Sequence, residues 1–229
     1  MANYDYVLFD ADNTLFDFDA AEHAALTATL THYGLPADDA VRDRYYKINT
    51  ALWAAHDRGE IHRDTLVVER FAALLQHLDA HHNPAELNTY YLARLGEDAR
   101  LLPGAEELCR ALAPNCTLAI VTNGVAAVQH GRIDGSPLGE LFSHVFISEE
   151  LGCQKPDKQF FDIVFHAMGI TSSSRAVLVG DSLSADIQGA ANAGIPSIWY
   201  NPGCLPVKDG AAPTYIVAQF SSILSILLD

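Results

Sequence analysis

Seven polar residues in this chain occupy one kind of place, directly after or close behind a short apolar run. Asp10 and Asp12 follow Val7-Leu8-Phe9, and Thr122 and Asn123 close "TLAIVTN". Lys155 lies in "SEELGCQKPD" behind "HVFIS", and Asp181 and Asp186 sit in "GDSLSADI" behind "AVLVG". Carboxylates one residue apart in an extended chain point the same way and repel, which costs stability unless positive charge lies between them. Taken singly, each residue has a plainer use. Thr122, Asn123 or the Asp181–Ser182 pair would cap a helix, Asp186 would favour a first helical turn, and Lys155 would be a surface lysine before a helix opened by Pro156. Taken together, they put carboxylates, a hydroxyl and a lysine at one edge of otherwise apolar segments. That set suits phosphoryl transfer through magnesium, which takes oxygen ligands, one or two of them carboxylates, alongside water and phosphate oxygens. Asp10 and Asp181 would supply those carboxylates.

The elements that must position these groups read as strands alternating with helices. Beyond residue 100, "TLAIVT" (117–122), "HVFIS" (144–148), "AVLVG" (176–180), "PSIWY" (196–200) and "TYIV" (214–217) are strands, joined by residues 7–9. Between them, Phe160, Phe161, Val164, Phe165 and Met168 share a helix face, as do Phe220, Ile223, Leu224 and Leu227. The alternation predicts an α/β fold, a parallel sheet with helices on both faces, and such sheets bind ligands beyond the carboxyl ends of their strands. Residues 17–100 lack strands and read as helices. Asp19, Asp38 and Asp64 are expected as N-caps, and Gly34 and Gly59 at helix ends. The domain expectation is therefore an α/β core of residues 1–16 and 101–229, with an all-helical domain at 17–100.

A formal charge of −15 argues against nucleic-acid polymers and anionic membranes as partners, since both need a basic footprint. It also repels an anionic substrate, which a bound divalent cation would offset locally. No apolar run approaches the ~20 residues of a membrane span. Without a recognisable signal peptide, and with Cys109, Cys116, Cys153 and Cys204 scattered outside any zinc spacing, a cytoplasmic location is expected.

"DADNTL", "VTNG", "KP" and "GDSLSADI", in this order, resemble the four motifs of the haloacid dehalogenase superfamily of phosphohydrolases, and the helical insert resembles that superfamily's C1 cap. Within it, "LFDADNTLFDFD", "N-x-x-LW" (Asn49, Leu52, Trp53), "LLPGAEEL", "VTNG…Q-x-x-R" (Gln129, Arg132) and "ISEELGCQKPDKQFFD" resemble the pyrimidine 5′-nucleotidase branch. Ser136–Pro137 and Cys153 depart from that branch's usual residues and leave the catalytic set untouched.

The resemblance implies a Rossmann-like core and a Mg²⁺-dependent phosphatase acting on UMP, dUMP and dTMP-type monophosphates. Asp10 would be the nucleophile that forms an aspartyl-phosphate, and Asp12 the general acid and then base. The metal would be held by Asp10, Asp181 and the backbone carbonyl of Asp12. Thr122, Lys155 and the backbone N–H of Asn123, at a helix start, would hold phosphoryl oxygens. Asp186 would orient Lys155 or a metal-bound water from behind. Phe16, Phe18, Asn49 and Trp53 are candidates for contacting base and sugar. The alternatives are a phosphatase for another small metabolite (a sugar phosphate, phosphoglycolate or a sialic acid phosphate), a phosphomutase, and a catalytically retired binding protein. A dehalogenase fits poorly because Asp12 and Asp181 are present, and a phosphoacceptor receiver because of the insert and Asp12.

Overall fold

The computed structural model describes residues 3–207, 210 and 212–228. Strand β1 (Tyr6–Phe9) is followed by four helices, α1 (Phe18–His32), α2 (Asp39–Asp57), α3 (Arg63–His77) and α4 (Pro84–Glu97). Helices and strands then alternate as α5 (Ala105–Leu112), β2 (Thr117–Thr122), α6 (Ala126–Asp134), β3 (His144–Ile147), α7 (Ser148–Leu151) and α8 (Lys158–Met168). After β4 (Ala176–Gly180) comes a π-helical turn, Leu183–Ile187, then α9 (Gln188–Ala193), β5 (Ser197–Tyr200), β6 (Tyr215–Val217) and α10 (Phe220–Leu228). The chain divides into two compact units, Met1–Phe18 with Ala99–Asp229, and Asp19–Asp98.

In the first unit the strands form one parallel sheet in the order β3-β2-β1-β4-β5-β6. The central strands β1, β2 and β4 are apolar on both faces because helices cover both. Val7, Phe9, Leu118, Ile120, Val177 and Val179 pack with Leu108 and Leu112 of α5 and Ile223 and Leu227 of α10. Leu8, Ala119, Val121 and Leu178, pointing the other way by strand alternation, pack with Phe160, Phe161 and Val164 of α8. Strand order reverses direction about β1, so the carboxyl ends of β1, β2 and β4 meet at the switch point where such sheets bind ligands. Past the end of β1 the chain turns tightly: Leu15 and Phe16 N–H both donate to the Ala11 carbonyl (2.9 Å each). The segments leaving and re-entering this unit are paired, with Leu102 N–H donating to Leu15 (2.8 Å) and Asp17 N–H to Arg100 (3.0 Å).

The second unit is α-helical. Leu66, Phe71, Leu74, Tyr45 and Tyr91 form its buried interior. A polar string runs through that interior: Arg70 Nη2 donates to Asn88 Oδ1 (2.9 Å) and Nη1 to Asn49 Oδ1 (3.3 Å). Asn49 Nδ2 in turn donates to Glu22 Oε1 (2.8 Å). Asp38 caps α2 as expected, accepting from Val41 N–H (3.1 Å). Gly34 (φ +66°) and Gly59 (φ +74°) follow the ends of α1 and α2. Two of the cap expectations are corrected. Asp19 is already inside α1, and Asp64 lies in the first turn of α3, where His62 is the N-cap and makes no side-chain bond. An acid gains from the helix dipole anywhere in the first turn, so its presence locates a helix start only to within a few residues.

Candidate active site

The sheet's switch point collects the strand-end residues. Asp10 continues the pairing of β1, its N–H donating to Val179 (2.9 Å). Lys155 arrives from the loop behind α7 and is 2% exposed. Its ammonium donates to Asp10 Oδ1 (2.6 Å), Asp186 Oδ1 (2.7 Å) and the Val121 carbonyl (2.8 Å), three acceptors for three protons. Burial works against this ammonium, but the charges of Asp10 and Asp186 outweigh it and raise its pKa, so Lys155 is a fixed cation.

Asp186 is fully buried on the π-helical turn after β4. Its second oxygen accepts from Ser182 N–H (3.0 Å), and Ser182 Oγ caps the turn by accepting from Ala185 N–H (3.1 Å). Gly180 makes room for it: a Cβ there would stand 2.3 Å from the Asp186 carboxyl carbon. A π turn widens the helix locally and is frequent at functional sites.

Asp10, Asp181 and Asp186 each offer a carboxylate oxygen within 4.8 Å of the others. Burial, with the neighbouring charges of Asp10 and Asp186, pushes Asp181 up to about 8, and burial raises Asp186 to about 6. Both shifts favour the protonated carboxyl, and a bound cation would reverse them. Counting Asp12 as well, four carboxyl groups face two cations, Lys155 and Arg132, so full ionisation would leave an excess of two negative charges. An all-oxygen donor set with that excess fits a hard divalent cation such as Mg²⁺.

Asp12 is held apart from this cluster. Gln129 Nε2 donates to its Oδ2 (2.7 Å) and Arg132 Nη1 to its Oδ1, both from α6. Burial pushes the Asp12 carboxyl up, the Arg132 guanidinium pulls it back, and Asp10 adds to the push. Gln129 and Arg132 stand in the sequence as an i, i+3 polar pair, but their role is set by contacts 117 and 120 residues away that no local pattern encodes.

Thr122 is buried at the end of β2, and its Oγ1 accepts from Gly124 N–H (3.1 Å). Asn123 departs from expectation. Helix α6 starts only at Ala126, with Val125 as N-cap, so the Asn123 backbone does not open a helix. Its side chain instead locks the Lys155 backbone, accepting from Lys155 N–H (3.0 Å) and donating to Lys155 C=O (2.8 Å). Pro156 does not open α8 either; Asp157 is the N-cap and Lys158 the first helical residue.

The residues considered for the base and sugar fall in both units, Phe16 and Phe18 in the first and Asn49 and Trp53 in the second. Phe16 is fully buried in the sheet unit, with the Arg132 guanidinium 4.6 Å from its ring centre, so it packs rather than presents a face. Phe18 is half-buried, 5.7 Å from the same guanidinium. Asn49 spends its amide inside the helical unit on Glu22 and Arg70. Trp53 is half-buried on α2, edge-on to His56 at 5.6 Å.

A family model described as haloacid dehalogenase-like hydrolase matches residues 4–194. Pyrimidine 5′-nucleotidase PynA of Streptococcus pneumoniae is 40% identical over 98% of this chain and 95% of its own length. Pyrimidine 5′-nucleotidase YjjG of Escherichia coli is 32% identical over 98% of each. The magnesium-bound orthorhombic crystal structure of the HAD-hydrolase YfnB of Bacillus subtilis superposes with a TM-score of 0.95 at 36% identity, covering 99% of this chain and 100% of that one. Among the described residues no helix is long and apolar enough to cross a membrane.

Proposed function

We propose that this chain, which belongs to the haloacid dehalogenase-like hydrolase family, hydrolyses pyrimidine nucleoside 5′-monophosphates of the UMP, dUMP and dTMP type with Mg²⁺ as cofactor. The observation that carries the reading is the pairing of one carboxylate, Asp10, tied to a buried lysine, with a second, Asp12, held separately by α6. One group is placed to attack and the other to move protons. The similarity to two pyrimidine 5′-nucleotidases over 98% of the chain supports the substrate class.

Asp10 attacks phosphorus in line. As its oxygen bonds to phosphorus, the P–O5′ bond breaks, its electron pair stays on the leaving oxygen, and Asp12 donates a proton there. The nucleoside departs, leaving Asp10 as an acyl-phosphate. Asp12, now ionised, takes a proton from water whose oxygen attacks the same phosphorus. Asp10 leaves as carboxylate, orthophosphate is released, and Asp12 is again the acid. Lys155 shields the nucleophile from the phosphate's charge and trades its Asp10 bond for a phosphoryl oxygen as Asp10 is esterified. The Thr122 hydroxyl donates to a second phosphoryl oxygen. Asp186 and Asn123 hold Lys155 by its ammonium and its backbone. Asp10, Asp181 and the Asp12 carbonyl would hold Mg²⁺, which would supply charge neutralisation for the transferring group. The Asp19–Asp98 unit acts as the cap, and Trp53 is its candidate for stacking on the base.

Phosphate release at neutral pH from UMP, dUMP, dTMP, AMP, GMP, phosphoglycolate and sugar phosphates, with Mg²⁺ or EDTA, tests this. Mg²⁺-dependent release from the pyrimidine monophosphates, abolished in Asp10→Asn, is expected. Release confined to sugar or carboxylate phosphates would keep the chemistry and overturn the nucleotidase assignment.

A further inference from the structure

The reaction above leaves unexplained why two buried polar side chains of α6 are spent on Asp12. Arg132 is fully buried and Gln129 is 1% exposed. Each holds a different oxygen of the Asp12 carboxylate. The guanidinium is itself fixed over the rings of Phe16, at 4.6 Å, and Phe18, at 5.7 Å. A two-point grip stops rotation of the carboxylate plane, and it ties a group on the loop after β1 to a helix. Gly124 belongs to the same device. A Cβ at that position would lie 2.1 Å from Gln129 Nε2, so only glycine lets the amide reach Asp12. The glycine of "VTNG" thus has a steric purpose that its backbone does not require, since its φ is not in the left-handed region.

We infer that Gln129 and Arg132 are positioning residues for Asp12, aiming its carboxyl at the leaving oxygen, and that Gly124 is the space this aim requires. The inference rests on the phosphatase reading. In that reaction the proton from Asp12 reaches the leaving oxygen as the P–O bond breaks. A mis-aimed Asp12 therefore penalises an alkoxide leaving group, which must be protonated, far more than p-nitrophenolate, which need not be.

The test is single-turnover leaving-group release from UMP and from p-nitrophenyl phosphate, for wild type, Gln129→Leu, Gly124→Ala, Arg132→Met and Arg132→Lys, each checked for folding by its melting curve. The expected result is a loss on UMP about tenfold or more beyond the loss on p-nitrophenyl phosphate, a part of the roughly 10²–10⁴ that general acid–base catalysis supplies. Arg132→Lys should recover part of the loss seen in Arg132→Met, because a lysine keeps the charge without the planar fork. Gly124→Ala reports on the grip without altering either gripping residue, which keeps the test valid if the Arg132 variants fold poorly. Equal losses on the two substrates, or none, would overturn the positioning role alone. A wild type inactive on UMP but active on p-nitrophenyl phosphate and another alkyl phosphate would overturn only the nucleotide assignment, and the comparison would then be made with that alkyl phosphate. A wild type inactive on every phosphate would overturn both.

Discussion

Gly180→Ala should do more damage than its single methyl group implies. The new Cβ would stand 2.3 Å from both Cγ and Oδ2 of Asp186 and 2.6 Å from its Cβ, about 1 Å inside ordinary contact. Asp186 is fully buried, and its two oxygens hold Lys155 Nζ (2.7 Å) and Ser182 N–H (3.0 Å), so it has to give up at least one of them to move. Losing a hydrogen bond to a charged group costs about 1.5–3 kcal/mol, and overpacking adds about 1–3 kcal/mol. The stiffer backbone of alanine returns at most about 1 kcal/mol through the unfolded chain. The net is about 3 kcal/mol, or a melting temperature lowered by about 6–12 °C for a chain of this size. The assay is thermal unfolding of wild type, Gly180→Ala, Asp186→Ala and the double variant. In the double variant the clash disappears, so the two substitutions should cost clearly less together than their sum, while phosphatase activity stays lost. A Gly180→Ala protein melting within about 2 °C of wild type, or strict additivity in the cycle, would refute the claim that Asp186 is wedged between Gly180 and Lys155.

Metal removal should make stability fall with pH. Folded Asp181, with its pKa pushed to about 8, and Asp186, raised to about 6, keep protons that the unfolded chain has already released. That contribution is complete below the unfolded carboxylate range near 4 and is lost as pH rises through about 6 to 8, by up to ~1.4 kcal/mol per unit and group. Melts in EDTA at pH 5, 6.5 and 8 should decline, and Mg²⁺ should stabilise most at pH 8; a flat EDTA profile would contradict it. Arg70→Met, which leaves the Asn49 and Asn88 side-chain oxygens without their guanidinium donor inside the helical unit, should cost about 1–3 kcal/mol for each stranded acceptor, read by urea unfolding. Trp53→Ala should raise KM for pyrimidine monophosphates about tenfold, in keeping with ~1–3 kcal/mol for stacking on a base, and an unchanged KM would remove Trp53 from the substrate site.

The strands were legible because a parallel strand buried on both faces must be apolar throughout; "TLAIVT" and "AVLVG" match β2 and β4 residue for residue. The chemistry was legible because charged groups at strand ends have no use in a core, and Asp10, Asp181, Asp186 and Lys155 do converge. What was hidden depends on distance along the chain. Asn123 holds the Lys155 backbone from 32 residues away, and Gln129 and Arg132 meet Asp12 across more than a hundred. Asn49 offered an amide suited to a base edge, but its partners Glu22 and Arg70 lie on neighbouring helices of the same unit, and burial decided its use. The Asp19 and Asp64 caps failed for a local reason: the dipole that favours an acid is spread over a whole first turn.

The most direct test of the account is covalent labelling of Asp10. Protein mixed with ³²P-labelled UMP and Mg²⁺ and acid-quenched within milliseconds should carry the label on the peptide that contains Asp10. In Asp12→Asn, which lacks the acid of the first step and the base of the second, label should both form and decay more slowly, and in Asp10→Asn it should be absent. Rapid phosphate release with no bound label at any time, or label on another residue, would contradict the aspartyl-phosphate mechanism and the assignment of Asp10 as its nucleophile.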